Sequence, residues 1–339
     1  MNKFRTTVAA AALLAASTTV AIAAEPILEP TTQKFINDLA ASGFKGFHTL
    51  SPEEARKVLV GAQSGEVKKP AVDLQDLTIP VGPKGETRIR VIRPEGATGR
   101  LPAIVYFHGA GWVMGDKVTH DRLVRELAVG ANAAVVFVDY DRSPENRFPI
   151  AIEEDYAATK YVAEHGDVLN VDGSRIAIAG DSVGGNMTAV VSLLAKERKG
   201  PSIKAQVLFY PVTDAKMDNG SYSQFAKGPL LTKAAMKWFW DAYLPDEAAR
   251  KDRTVSPLNA TIEQLKGLPA ALVITAENDV LRDEGEAYAR KLTQAGVTVT
   301  STRYNGTVHD FVMLNALSET PAARAAIAQA TGFLKGALK

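Results

Sequence analysis

The stretch that decides the fold is Ile176-Ala177-Ile178-Ala179-Gly180-Asp181-Ser182-Val183-Gly184-Gly185-Asn186. A short apolar run typical of a β-strand leads into Gly-Asp-Ser-Val-Gly, and a helical pattern follows from Asn186 to Glu197. This strand, turn and helix form the context that the G-x-S-x-G motif requires. Because the chain must reverse within a few residues, the serine is strained and glycine is needed at positions 180 and 184. The sequence therefore predicts that Ser182 stands at the end of a sheet, above a helix N-terminus.

This pentapeptide is weak support by itself. Roughly one chain in ten of this length would contain G-x-S-x-G by chance at average glycine and serine usage. The flanking elements and the chemical partners elsewhere in the chain must therefore decide whether Ser182 is a nucleophile.

The composition allows one large domain or two ordinary ones and excludes several kinds of function. Of the 339 residues, 46% are hydrophobic, so a sizeable core can be buried, and 39 basic residues nearly balance 38 acidic ones. A balanced charge without a long basic run argues against nucleic acid as a partner. The chain has no cysteine, which excludes thiol catalysis, cysteine metal sites and disulfides.

Residues 1–23 have the pattern of a secretory signal peptide. Lys3 and Arg5 form its basic start, an apolar run covers 8–16, and Ala21-Ile22-Ala23 supplies small residues for cleavage. The apolar run is too short to span a bilayer and no second run is long enough, so we expect no stable membrane insertion. A buried N-terminal helix or a membrane anchor is the alternative. The sequence thus predicts a secreted or periplasmic mature protein.

Strands alternate with helices along most of the chain, which predicts an α/β fold with a mostly parallel sheet covered on both faces. Residues 24–72 precede the first strand and have helical patterns, with Ser51 and Glu54 as a capping box. We expect the catalytic domain to span 73–339. Its predicted strands are 73–80, 86–93, 103–107, 134–139, 175–179, 205–210, 270–275 and 298–304, and its predicted helices are 120–129, 151–164, 186–197, 283–294 and 321–338.

Residues 214–259 interrupt this alternation. They contain no clear strand, but Leu230–Tyr243 has a helical pattern rich in large apolar side chains. We expect this insertion to lie over the carboxyl edge of the sheet, where ligands bind in α/β folds. Most of its aromatic side chains should pack inward and leave one or two for a substrate.

A hydroxyl nucleophile needs a base, a group that orients the base, and donors for the oxyanion. In the chain order Ser…Asp…His, the base is His309, on a loop after the predicted strand 298–304. Asp279 follows the preceding strand and is predicted to orient His309, with Glu277 as the alternative. Asp283 and Glu284 are interpreted as first-turn residues of the next helix.

The other four histidines fit the role of base less well. His48 and His165 have no supporting motif, and His120 is expected to be a helix cap or a surface group. His108 belongs to the loop His108-Gly109-Ala110-Gly111-Trp112, which follows an early strand. Its predicted oxyanion donors are the N–H groups of Ala110 and Gly111, together with that of Val183, and Gly109 is the alternative within the loop.

Four separated motifs resemble the hormone-sensitive-lipase-like family of α/β-hydrolases, which includes the bacterial family IV carboxylesterases. They are His108-Gly109-Ala110-Gly111-Trp112, Asp139-Tyr140-Asp141-Arg142-Ser143-Pro144-Glu145 with Phe148-Pro149, Gly180-Asp181-Ser182-Val183-Gly184-Gly185-Asn186, and Asp279-Val280-Leu281-Arg282-Asp283-Glu284-Gly285. The resemblance implies an α/β-hydrolase fold with Ser182 as nucleophile, Asp279 as acid and His309 as base. It also implies a structural role for His108 and a helical cap formed by residues 24–72 and 214–259.

Three residues depart from the family pattern. Ala110 replaces a glycine and adds a methyl group beside the substrate, and Asp310 replaces the usual glycine and adds a carboxylate beside the base. Val183 replaces an alanine and is expected to narrow the acyl site. None of these changes removes a catalytic group.

The sequence therefore predicts a secreted serine carboxylesterase that hydrolyses short-acyl esters through an acyl-enzyme intermediate. Its expected partner is a small-molecule ester, with no cofactor and no metal, and a homodimer is left open. An amidase, a lactonase or an acyltransferase with the same triad is an alternative. A non-catalytic ligand-binding protein on the same scaffold is another.

Overall fold

The computed structural model describes residues 26–339, so the predicted signal peptide lies outside the described residues. An eight-stranded sheet forms the centre of this part of the chain. Its strands are β1 Val72–Ile79, β2 Thr87–Pro94, β3 Leu101–Phe107, β4 Ala134–Val138, β5 Val171–Asp181, β6 Ile203–Phe209, β7 Ala270–Asn278 and β8 Val299–Val308.

The sheet has the order β1-β2-β4-β3-β5-β6-β7-β8. β1 pairs with β2, and β2 with β4, in antiparallel register, whereas all pairs from β4 to β8 are parallel. Parallel strands end at one edge of a sheet. The residues that follow β3, β5, β7 and β8 are therefore brought together there.

Helices cover the sheet in two groups. Within residues 26–339 the α-helices are α1 Pro30–Ala41, α2 Pro52–Gln63, α3 Asp121–Ala131, α4 Ile150–Glu164, α5 Val183–Glu197, α6 Gly220–Gln224, α7 Lys233–Tyr243, α8 Ile262–Leu265, α9 Arg282–Gln294 and α10 Pro321–Ala337. α3 packs against α10, and α4 packs against α5. Short 3₁₀ turns occur at Phe47–Thr49, Ala249–Lys251, Pro257–Asn259 and Asn315–Leu317.

The central strands are buried on both sides, which explains their continuous apolar sequences. Every residue of β4 is buried, and so are Ala103–Phe107 of β3 and Ile176–Asp181 of β5. This rigid centre fixes the positions of the loops at its carboxyl edge. No helix in the described part of the chain is both long and apolar enough to cross a membrane.

Several elements end at other residues than predicted. β7 extends to Asn278 and β8 to Val308, because Asn278 pairs with Val308 beyond an irregularity in the ladder. The helix predicted from Leu230 begins only at Lys233, because the Thr232 side chain accepts a hydrogen bond from the Ala235 N–H and caps it. The predicted capping box of Ser51 and Glu54 is present in α2.

Candidate active site

Ser182 occupies the sharp turn between β5, which ends at Asp181, and α5, which begins at Val183. Its backbone has φ 55° and ψ −117°, a conformation that is unfavourable for residues other than glycine. A Cβ atom at Gly180 would collide with the backbone of Gly184, and one at Gly184 would collide with the Phe107 carbonyl. Glycine at both positions is thus a requirement of the turn that presents Ser182.

Ser182, His309 and Asp279 form a continuous hydrogen-bonded chain. His309 Nε2 lies 2.9 Å from Ser182 Oγ, and His309 Nδ1 lies 2.6 Å from Asp279 Oδ2. All three residues are buried, with exposed fractions of 4% for Ser182, 3% for His309 and 1% for Asp279. With the Nδ1–H donating to Asp279, the lone pair of Nε2 faces the serine hydroxyl. This is the arrangement that a general base requires.

Asp279 is held by its own loop. Its Oδ1 accepts a hydrogen bond from the Leu281 N–H at 3.0 Å, which leaves Oδ2 directed at His309. The alternative orienting group, Glu277, accepts a hydrogen bond from the Gly306 N–H at 2.7 Å instead. The structure therefore places Asp279, and not Glu277, against the imidazole.

Asp310 adds a second carboxylate to the surroundings of His309. Its backbone has φ 62°, and its Oδ1 lies 3.4 Å from His309 Nε2. Burial alone would lower the pKa of His309, but the charges of Asp279 and Asp310 outweigh it and hold this pKa above the ordinary value of 6.5. Burial raises the pKa of the Asp310 carboxyl to about 6, despite the attraction of His309. Asp310 is thus expected to be ionised at neutral pH and to favour the imidazolium.

The loop after β3 has an unusual backbone. Ala110, Gly111 and Trp112 have consecutive φ values of 74°, 71° and 59°. The Trp112 side chain is fully buried and stacks on Tyr243 of α7, with ring centroids 4.1 Å apart. This stacking fixes the loop against the helix above it.

The Gly109 N–H donates to Asp181 Oδ1 at 3.0 Å, so it is already used and is removed from the predicted oxyanion donors. Among residues 26–339, no acceptor is found for the N–H groups of Ala110, Gly111 and Val183. These three groups remain the candidates for oxyanion donors. Val183 itself is fully buried and does not line the cavity described below, so the structure gives no contact through which it would narrow the acyl site.

An apolar cavity of about 100 Å³ opens onto Ser182 and His309. Both segments that were predicted to form a cap contribute to its walls. The apolar lining from these segments comprises Phe35, Leu39, Phe44, Phe47, Val58, Leu59, Ala62, Leu230, Leu231, Ala235, Met236 and Phe239. Trp240 is instead fully buried and packs against Trp112. Asp310 is the carboxylate in this lining, and Ser182, Thr232 and His309 are the other residues there with polar side chains.

Two buried polar residues have contacts that the sequence analysis missed. His120 occupies the position before α3, but its side chain makes no cap and is fully buried 3.2 Å from Asp181. Glu284 is buried and accepts hydrogen bonds from the N–H groups of Thr213 and Asp214. The pairing of His120 with Asp181 had one signal in the sequence, because a carboxylate at the end of an apolar strand needs a partner when it is buried.

Comparisons with known proteins agree with this geometry. A family model described as the alpha/beta hydrolase fold matches residues 104–313. Carboxylesterase NlhH of Mycobacterium tuberculosis is 38% identical over 273 residues, which cover 79% of this chain and 84% of the relative. The ethyl acetate hydrolase of Pseudomonas putida is 34% identical over 278 residues, which cover 80% and 86%.

Solved structures extend the comparison to three dimensions. The crystal structure of a thermostable esterase from Pseudomonas putida ECU1011 superposes with a TM-score of 0.91 at 53% sequence identity. The match covers 93% of this chain and 99% of the esterase. The chain belongs to the hormone-sensitive-lipase-like family of α/β-hydrolases.

Proposed function

We propose that the protein is a serine carboxylesterase in which Ser182 is the nucleophile, His309 the general base and Asp279 the orienting acid. The observation that supports this most directly is the chain of hydrogen bonds from Asp279 through His309 to Ser182, at the floor of an apolar cavity. The relatives named as carboxylesterases and as an ethyl acetate hydrolase support the same reaction.

The reaction proceeds in two halves. His309 Nε2 takes the proton of Ser182 as Oγ attacks the ester carbonyl, and the imidazolium then protonates the leaving alcohol. Asp279 stabilises this imidazolium through the bond to Nδ1–H. The N–H groups of Ala110, Gly111 and Val183 stabilise the oxyanion in both tetrahedral intermediates. Water, activated by His309, then releases the acyl group from Ser182.

The substrates proposed are esters with short acyl chains. The cavity of about 100 Å³ is small compared with the roughly 300–1,000 Å³ of typical ligand pockets. Its walls are largely aromatic and aliphatic, so the transfer of an apolar acyl group from water into the cavity is favourable. A long acyl chain would extend beyond the cavity, and burial would stabilise its outer part less.

A lactone, an amide or acyl transfer to a second alcohol would use the same triad, so the proposal for esters needs a direct comparison. Ethyl butyrate, butyramide and a γ-lactone measured side by side would rank these reactions by kcat/KM. We expect the ester to be hydrolysed fastest. A higher kcat/KM for the amide or the lactone would contradict the proposed substrate class.

We also propose that the protein is exported. Support comes from the basic start, the apolar run and the small residues within 1–23. Expression of the full chain in a bacterium, followed by N-terminal sequencing of the protein from the periplasm and medium, is expected to find a start near Ala24. An intact N-terminus in the cytoplasm would contradict the proposal.

The roles of the triad are tested by substitution. Ser182→Ala and His309→Ala are each expected to lower kcat by on the order of a millionfold, and the double variant little further, because the two groups act as a unit. Asp279→Asn is expected to cost on the order of ten-thousandfold. Ser223→Ala, on the surface, is the matched control. Turnover near that of the wild type in Ser182→Ala would refute the proposed function.

A further inference from the structure

A buried carboxylate lies directly beneath the proposed oxyanion loop. Asp181 precedes Ser182, and its Oδ1 accepts hydrogen bonds from the Gly109 N–H at 3.0 Å and the Tyr106 hydroxyl at 2.6 Å. Its Oδ2 lies 3.2 Å from His120 Nε2, and the side chains of both residues are fully buried. Asp181 therefore joins the loop after β3 to the turn that presents Ser182.

We propose that His120 is an imidazolium that neutralises Asp181, and that this buried pair is a positioning device which aligns the oxyanion loop without opposing the charge of the oxyanion. The inference rests on the proposed role of Ser182 as nucleophile. His120 does not face the substrate cavity, so it acts through Asp181 and the loop.

The hydrogen bonds of His120 fit an imidazolium with both ring nitrogens protonated. Thr119 Oγ1 lies 2.9 Å from His120 Nδ1 and 3.0 Å from the Asp116 carbonyl, so it can accept from a protonated Nδ1 while it donates its own proton to that carbonyl. On the other side of the ring, Nε2–H donates to Asp181 Oδ2. An imidazolium thus has an acceptor for each of its two N–H groups, and its bond to the buried Asp181 carboxylate is assisted by charge.

The charged and titratable neighbours agree with this assignment. Asp181, Asp310 and Asp116 surround His120 with negative charge and hold its pKa above 6.5, although burial opposes this shift. His108, whose ring centroid lies 5.5 Å from that of His120, cannot supply the cation, because burial lowers the pKa of His108 to about 3. His120 is therefore the positive partner of Asp181 in this cluster.

The need for a cation follows from the reaction. Negative charge develops on the carbonyl oxygen in the transition state, beside the N–H groups of Ala110 and Val183. Ala110 directly follows Gly109, whose N–H donates to Asp181, and Val183 lies two positions after Asp181. An unpaired carboxylate here would repel the oxyanion through a medium of low dielectric constant. With His120 charged, Asp181 can anchor the loop at little electrostatic cost.

The test compares His120→Gln, Asp181→Asn and the double variant, with His165→Gln as a matched surface control. Active sites are counted with a phosphonate that labels Ser182, so kcat refers to folded enzyme only. His120→Gln is expected to lower kcat by roughly a hundredfold, the effect of losing one oxyanion donor, with little change in KM. Affinity for a trifluoromethyl ketone, which forms an oxyanion adduct, should fall in parallel with kcat/KM.

The charge is tested by rescue. Asp181→Asn keeps an acceptor for Gly109 and removes the charge, so its kcat should stay within about tenfold of the wild type. The double variant should regain at least about tenfold over His120→Gln, because no unpaired carboxylate remains. A purely structural role would give additive losses in the double variant, and this result would overturn the inference.

A further comparison does not depend on the folding of His120→Gln. Once Asp181 is neutral, replacing His120 should have no added effect, so the double variant should match Asp181→Asn within about threefold in kcat. A much lower kcat in the double variant would show that His120 acts by another route. Failure of the proposed function is distinguishable, since only that failure leaves Ser182→Ala active.

Discussion

At the scale of single residues, Asp310 is expected to influence how hydrolysis depends on pH. Hydrolysis needs a neutral His309, so kcat/KM rises as the pH passes the pKa of this histidine. The Asp310 carboxylate favours the imidazolium and holds that pKa up. In Asp310→Asn the pKa of His309 should fall, and the acid limb of the kcat/KM profile should move to lower pH. Asparagine also tolerates the left-handed backbone at this position.

The pH profile of wild-type enzyme, Asp310→Asn and the surface control Asp167→Asn checks this expectation. The control should leave the acid limb in place, because Asp167 is exposed on the loop between α4 and β5. An acid limb that stays in place in Asp310→Asn as well would mean that the carboxylate is already neutral when His309 titrates.

Ala110 leads to a prediction about substrate shape. Ala110 lines the cavity beside Ser182, so we expect its methyl group to lie close to the groups that flank the ester carbonyl. In Ala110→Gly, the ratio of kcat/KM for a tert-butyl ester to that for an ethyl ester should rise about tenfold, about 1.4 kcal/mol. Glycine also adopts φ 74° without strain. A ratio that stays constant would place the methyl group away from the alcohol portion of the ester.

The sequence was sufficient to predict that Ser182, Asp279 and His309 lie together, and insufficient for the buried residues behind them. Ser182, Asp279 and His309 each follow a strand directly, and the carboxyl ends of parallel strands converge, so chain order alone predicted their meeting. The pairing of His120 with Asp181 joins residues 61 positions apart and follows no local pattern. His120 also precedes a helix, a position for which capping is the simpler interpretation.

At the scale of elements, the oxyanion loop and helix α7 are in direct contact. A Cβ atom at Gly111 would overlap the ring of Phe239, and Gly111 has φ 71°. Gly111→Ala should therefore lower kcat by at least about tenfold, because either the loop or the ring must move. Steady-state kinetics of Gly111→Ala, Phe239→Ala and the double variant test whether removing the ring restores part of the loss.

The outcome of the double variant separates two causes of the loss. Partial recovery would assign it to the collision with Phe239. A double variant as slow as Gly111→Ala would assign it to backbone strain in the loop alone, and the contact between loop and helix would then have no kinetic effect. Phe239→Ala by itself provides the control for the enlarged cavity.

The elements themselves were predicted more reliably than their ends. Alternating apolar strands and amphipathic helices appear in local sequence, and each predicted strand has a counterpart in the sheet. β8 was predicted to stop at Tyr304, yet it continues to Val308 because Val308 pairs with Asn278 on the neighbouring strand. Such a pairing depends on another part of the chain, so no local pattern indicates it.

At the scale of the whole molecule, the substrate cavity is closed by parts of the chain that are distant in sequence. Phe35 lies on α1, Val58 on α2 and Phe239 on α7, and all three line the same cavity. α2 is fastened to the core by the Arg56 side chain, which donates to the carbonyls of Val113 and Ser143. The roof of the cavity is thus connected to the motifs beneath it.

The small volume of the cavity beneath these three helices predicts a preference among acyl chains of different length. We expect kcat/KM to be highest for acyl chains of about two to six carbons and to fall for longer chains, because the cavity encloses little volume. A series of p-nitrophenyl esters from acetate to palmitate, measured below the concentration at which each aggregates, checks this. The Ser182→Ala variant supplies the background rate. A palmitate ester preferred over the butyrate would show that the roof opens for long chains.

The fold class could be predicted from sequence, whereas the shape of the cavity could not. Strand and helix periodicity together with four separated motifs were enough for the α/β-hydrolase fold. The cavity walls depend on how α1, α2 and α7 pack over the sheet. Contacts such as that of the Gln63 side chain with the Met313 carbonyl span 250 residues, and no local pattern predicts them.

The left-handed backbone at Ser182 has a consequence for the evolution of this chain. A glycine at this position would adopt φ 55° freely, so the inactive protein would be the more stable one. Mutational drift toward stability therefore opposes catalysis at this residue, and only selection for turnover keeps the serine in place. The margin that the rest of the fold provides, above all the buried strands around β5, is what allows the chain to tolerate a strained residue at its centre.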